Sequence, residues 1–283
     1  MIAVTGRSLH VPGLRPGTAL LGWVPEPSCE PEDARELLGR KGLLAKEPAT
    51  VLALCAVHRA LGLEPGSGPR RRDEPVDSRT AVVVSSNLGN LATVCAVTRQ
   101  AYAGRVREVS PLDAPNVSSN VIASSVAIRF GFAGPNLMVC SGETSGSDAL
   151  AIAARLLRAG RCRRAIVVGV EPRDEVTEAV FTDQLFDGAA CVVLEQLEGD
   201  YVIGPVTTAR RPRVEQADVV LAAGQGGLDL DRQLGATYGA RGVVQAVVAT
   251  QAVASGTAAS VQVLDGGPDT GYRMFTVRRE PRR

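Results

Sequence analysis

Apolar positions in this chain alternate between two spacings. Short β-branched or continuously apolar runs read as buried strands: Met1–Thr5, Thr80–Ser85, Leu137–Cys140, Ala165–Val170, Ala190–Glu195, Val219–Ala222, Ser260–Leu264 and Tyr272–Val277. Longer stretches carry a helical repeat: Pro48–Leu61, Asn87–Tyr102, Asn116–Phe130, Ser147–Ala159 before Gly160, and Val243–Ala254. In Pro48–Leu61 the repeat is Val51, Leu54, Cys55 and His58. Residues 64–78, rich in Pro and Gly, read as a surface loop, and Arg70-Arg71-Arg72 within it as a solvated face. Strand and helix alternate along the chain, which predicts an α/β fold with parallel sheets covered on both faces.

Composition narrows the picture. Of 283 residues, 45% are hydrophobic and only 4% aromatic, so the core must be built of Ala, Val and Leu. A net charge of +1 gives no bias toward nucleic acid or an anionic membrane. No apolar run approaches the ~20 residues of a membrane span. Met1–Thr5 leads directly into a strand with no visible signal peptide, so the expected location is cytoplasmic. The cysteines at 29, 55, 95, 140, 162 and 191 show no paired spacing and read as reduced, mostly buried thiols. No metal site and no cofactor are expected. His58 reads as a packed helix residue and His10 as part of a loop with Pro12 and Pro16. The glycines at 224, 226 and 227 lack the context of a phosphate cradle.

The informative stretch is Gly134–Gly146, a Gly-Pro pair, an apolar strand, a run of small residues and Ser145-Gly146. It resembles the nucleophile turn of β-ketoacyl synthases of the thiolase superfamily, with Glu143 in the slot of their cysteine. Ala223-Gly224-Gln225-Gly226-Gly227 resembles their first histidine loop with Ala223 in the histidine slot. Gly235–Gly242 resembles the second, with Ala236 in that slot, and Asp231 falls where the family carries a lysine. Phe186-Asp187, Val193-Leu194-Glu195 and Gly266-Gly267 match further family segments. The stretch between Gly224 and Ala236 is much shorter than in the family.

The resemblance implies a layered αβαβα thiolase-like fold of two similar halves, residues 1–200 and a shortened 201–283, forming one compact unit. It also implies that no catalysis is expected from Glu143, Ala223 and Ala236, because a carboxylate cannot carry a thioester and alanines cannot donate to an oxyanion. Cys140, three residues early, reads as a buried core thiol. Glu143 is free instead to accept hydrogen bonds at the N-terminus of the helix that follows it.

The implied reading is a truncated chain-length factor, the β subunit of a type II polyketide ketosynthase. It would pair with an active ketosynthase, meet an acyl carrier protein through that complex, and help shape the acyl tunnel. The helix Asn116–Phe130 and the strand Leu137–Cys140 would face the partner, with Asn116, Ser119, Asn120, Ala123, Leu137 and Val139 as interface or tunnel residues. The alternatives are a malonyl-carrier decarboxylase or acyltransferase using Glu143, and a homodimeric, non-catalytic acyl-binding scaffold.

Overall fold

The computed structural model describes residues 1–181, 184–224 and 227–280. Its strands are β1 (Ile2–His10), β2 (Thr80–Ser85), β3 (Asn136–Val139), β4 (Arg164–Glu171), β5 (Gly188–Glu195), β6 (Tyr201–Ile203), β7 (Thr207–Ala209), β8 (Val219–Ala222), β9 (Ser260–Gly267) and β10 (Gly271–Arg279). The helices are α1 (Arg35–Leu38), α2 (Pro48–Ala60), α3 (Leu91–Tyr102), α4 (Val121–Phe130), α5 (Ser145–Arg158), α6 (Glu175–Val180), α7 (Asp231–Leu234) and α8 (Arg241–Ser255).

All ten described strands join one mixed sheet, in the order β3-β2-β4-β5-β1-β6-β10-β9-β8, with β7 paired to β10. The parallel pairs are β2–β3, β2–β4 and β8–β9. The antiparallel pairs β4–β5, β1–β5, β1–β6, β6–β10 and β9–β10 stitch the two parallel groups together, so the sheet is not purely parallel.

Pleating explains why the strands read as continuous apolar runs. Along β2, Ala81 and Val83 point into one core, while Val82 and Val84 point into the other. The first core is closed by α5 and α8 and the second by α2 and α4. Helix α8 packs against β5 and β9 alike, so it lies between the two parts of the sheet. On the outer side of β8–β10, Ala222, Leu264 and Met274 form a small separate cluster.

Several expectations need correction. The first strand runs on to His10 instead of stopping at Thr5, with a register shift between Val4 and Gly6. Two of its polar residues find partners in place: Ser8 Oγ donates to Ala56 O at 2.6 Å, and His10 Nε2 lies 3.0 Å from Cys29 O. His10 is therefore a fully buried strand residue, not a loop residue. Residues 114–117 form a 3-10 turn, and the helix expected from Asn116 begins at Val121. The helix expected from Asn87 begins at Leu91, which leaves Asn87 in the preceding turn. His58 is packed as expected, with Nε2 3.2 Å from Glu64 O. No described helix is long and apolar enough to cross a membrane.

Candidate functional site: the turn at Glu143

Residues Gly142–Thr144 form a 3-10 turn between β3 and α5. Gly142 has φ 76°, left-handed backbone that glycine adopts without steric cost. Asn87 clamps the turn from across the sheet. Its Nδ2 donates to Gly142 O at 2.9 Å, and Gly142 N donates to its Oδ1 at 3.1 Å. Ser145 Oγ closes the other side by donating to Gly142 O at 2.7 Å.

Asn87 is itself held by Glu171, which is fully buried at the end of β4. That carboxylate accepts from Asn87 N at 2.8 Å, Leu88 N at 3.0 Å and Ser86 Oγ at 3.0 Å. Burial pushes its pKa up to about 7 despite these donors.

The carboxylate of Glu143 turns toward the start of α8. Arg241 Nη1 lies 3.5 Å from its Oε2, and Thr270 Oγ1 donates to its Oε1. No described amide at the start of α5 reaches it, so the expected capping role is replaced by an ion pair across the fold. Arg241 also pairs with Asp231 at 2.9 Å and Asp265 at 3.8 Å. Burial opposes the charge on Arg241, but Asp231 and Asp265 outweigh it and raise its pKa. Asp265 is fully buried and accepts from Ser147 Oγ at 2.6 Å. Burial lifts its pKa to about 6, against the pull of Arg241.

Helices α5 and α8 touch here with almost no space between their backbones. A methyl group on Gly146 would sit 2.7 Å from Gly242 N. That contact sets the distance from the Glu143 turn to Arg241.

Ala236 takes its place by backbone pairing: its N–H donates to Gln184 O at 2.8 Å, and it bridges to Leu185. With Glu143, Asp231, Tyr238 and Arg241 it lines a cavity of about 930 Å³. Arg15 and Arg173 line the same cavity, so its wall is rich in charge. Ala223 follows β8 and is not among the lining residues. Gln225 and Gly226 of its loop lie outside the described residues.

Cys140 lies one residue past the edge strand β3 and is exposed, not buried as expected. Its Sγ donates to Ser86 O at 3.0 Å. Although the residue as a whole is exposed, partial desolvation of the sulfur and then the charge of Glu171 raise its pKa, which favours the thiol form. The turn therefore presents an engaged carboxylate and a protonated thiol.

The residues expected at a partner surface divide into two groups. Ser119 is exposed, Leu137 is 38% exposed, and Asn120 and Val139 are half-buried. Asn116 and Ala123 are enclosed by the protomer itself, and Asn116 Nδ2 donates to Ala45 O at 2.8 Å. Asn120 Nδ2 donates to Asn136 Oδ1 at 2.8 Å, which ties the start of α4 to β3. Ile128 is 77% exposed, and Tyr102, Leu112 and Val117 are exposed too. No residue of α3 is fully buried.

Arg241, Asn87, Glu171 and Thr270 were not singled out by sequence reasoning. Arg241 did leave a signal. A cation at the first position of a helix opposes the helix dipole and calls for acidic partners from elsewhere.

Residues 37–184, just over half the chain, match the family "Beta-ketoacyl synthase, N-terminal domain". The mitochondrial 3-oxoacyl-[acyl-carrier-protein] synthase of Arabidopsis thaliana is 23% identical over 99 residues, 35% of this chain and 22% of that protein. The chain thus matches less than a quarter of that relative's length. Among solved structures, the ishigamide ketosynthase/chain length factor superposes with a TM-score of 0.75 at 21% identity, covering 99% of both chains. A β-ketoacyl synthase from Burkholderia phymatum STM815 gives 0.68 at 14% identity, again with 99% of both chains covered. A type II polyketide synthase acyl-carrier protein in complex with its ketosynthase, bound to the hexaketide, gives 0.66 at 13% identity, over 98% of this chain and 99% of that one. At these identities the likeness is one of fold, and the fold is thiolase-like. With the matched segment running from α1 through the turn at Glu143, the chain belongs to the β-ketoacyl synthase family.

Proposed function

We propose that this chain is a non-condensing, chain-length-factor-like subunit that pairs with an active β-ketoacyl synthase in type II polyketide or fatty-acid-like biosynthesis. It acts in the cytoplasm and meets the acyl carrier protein through that complex. The observation that carries this reading is Glu143 in the nucleophile turn, tied to Arg241 and Thr270, with alanine at 223 and 236. Condensation needs a thiolate to hold the acyl group and donors to hold the developing oxyanion. The turn supplies an ion-paired carboxylate instead.

The partner surface centres on the edge strand β3, which carries the exposed Leu137, and on α4 packed against it, which carries the exposed Ile128. An open edge beside exposed apolar side chains is a surface that proteins normally cover. The charged wall of the cavity at Glu143 suits polar groups better than an acyl chain. The contribution to the tunnel is therefore assigned to the start of α4 and to β3, where Ser119, Asn120 and Val139 are accessible.

The test is co-expression with the ketosynthase encoded beside it, followed by native mass spectrometry. A one-to-one heterodimer is expected. A homodimer, or a monomer that ignores the ketosynthase, would overturn the pairing. Malonyl-carrier turnover by the chain alone that is lost in Glu143→Gln would establish the decarboxylase alternative.

A further inference from the structure

His10, Cys29 and Cys55 are far apart in sequence, and the fold brings them together. His10 ends β1, Cys55 lies in α2, and Cys29 lies in the connection between them. One ligand atom from each sits within 4.8 Å of the other two. His10 is fully buried and Cys55 is 1% exposed. His10 Nε2 lies 4.0 Å from Cys29 Sγ, and His10 Nδ1 is buried with no hydrogen-bond partner among the described residues. The Cys29 segment is pinned to the end of β1, because Val11 N donates to Ser28 Oγ at 3.0 Å.

Two thiols and an imidazole form a soft donor set, with Arg59 near enough to act on both thiols. Such sets select thiophilic d¹⁰ cations over magnesium or calcium. Tetrahedral zinc, with Zn–S near 2.3 Å and Zn–N near 2.0–2.1 Å, would set its ligand atoms roughly 3.5–3.8 Å apart. The existing 4.0 Å contact needs only a small contraction to reach that spacing. A Cys29–Cys55 disulfide would instead require a sulfur–sulfur distance of about 2.05 Å.

We propose that His10, Cys29 and Cys55 form a structural binding site for a thiophilic cation of the Zn(II) class, which fastens the 11–30 connection to β1 and α2. The fourth position is open to water or a backbone oxygen. The bound cation would displace the thiol protons to solvent, so loading releases protons and acid reverses it. This site is independent of Glu143 and of any partner subunit.

The experiment uses the reduced full chain. It is stripped with a chelator and titrated with Zn(II) against a chromophoric chelator, and Co(II) is used as an optical probe in parallel. A single tight equivalent is expected, with a thiolate-to-cobalt charge-transfer band and the intense d–d bands of tetrahedral cobalt. Cys29→Ser should weaken Zn(II) binding by more than about 100-fold, beyond the loss typical of outer-shell changes. Cys140→Ser should leave it unchanged. Because Cys55→Ala opens a cavity in the core and could unfold the chain, the half-buried Cys29→Ser variant carries the test, with circular dichroism to confirm its fold. Absence of a tight equivalent would overturn the proposal. So would equal binding by Cys29→Ser, or a Cys29–Cys55 disulfide that forms in preference to metal binding.

Discussion

Glu143 and Arg241, 98 residues apart in sequence, face each other at 3.5 Å across the contact of α5 with α8. Arg241 is the shared cation of three carboxylates, and the three are not equivalent. Glu143 is partly exposed, whereas Asp265 is sealed in the core. Removing the cation should therefore cost far more than removing Glu143. Arg241→Ala should destabilise the chain by about 3–5 kcal/mol, because it strands a buried charge. Glu143→Ala should cost no more than about 1 kcal/mol. Urea unfolding of both variants checks this, and Asp265→Asn in the Arg241→Ala background should recover part of the loss.

Glu171 and Asp265 give the stability a pH dependence whose sign is fixed by burial. Both folded pKa values are raised, Glu171 from 4.5 to about 7 and Asp265 from 3.8 to about 6. A carboxyl that binds its proton more tightly when folded stabilises fully below its unfolded pKa and loses that contribution as pH rises through the folded value. The contribution of this pair should fall between roughly pH 4 and pH 7. Denaturant midpoints across that window should change less in Glu171→Gln than in the parent chain. An equally steep dependence would show that Glu171 does not set it.

The edge at β3 predicts variants that affect assembly and spare the protomer. Leu137→Arg and Ile128→Glu should abolish association with a ketosynthase, since both side chains are exposed in the isolated chain. Their own stability should change by only about 0.5 kcal/mol. Sedimentation velocity reads the first effect and thermal unfolding the second.

The contact between Gly146 and Gly242 predicts a variant that acts at a distance. Gly146→Ala should cost about 1–3 kcal/mol by overpacking. It should also push α8 away from the Glu143 turn. Amide exchange at residues 142–147 should then speed up even though no side chain of the charge cluster has changed.

Much of the architecture was legible because apolar run length follows directly from burial on two faces. Thr80–Ser85 and Val219–Ala222 are strands with the bounds their β-branched runs predict. What failed to show depended on partners distant in sequence. Arg7-Ser8-Leu9-His10 reads as polar and irregular, yet it is strand because Ala56 O and Cys29 O sit beside its polar atoms. The strands 201–203 and 207–209 are too short to carry a period. At the site, the turn between β3 and α5 was readable from the small residues around Gly142 and Gly146. The partner of Glu143 was not, since nothing near residue 241 names residue 143. The expected capping of α5 by Glu143 failed for the same reason: a buried arginine attracts a carboxylate more strongly than a helix end does.

The pairing of β1 also bears on how the molecule is made. Ala3 lies opposite Glu195 on one side and Val202 on the other. Helix α2 can pack on β1 early, but both of its strand partners, β5 and β6, come nearly two hundred residues later in the chain. Such separated pairings slow folding and leave the hydrogen-bonding edges of Ile2–His10 open to wrong strands until β5 and β6 are made.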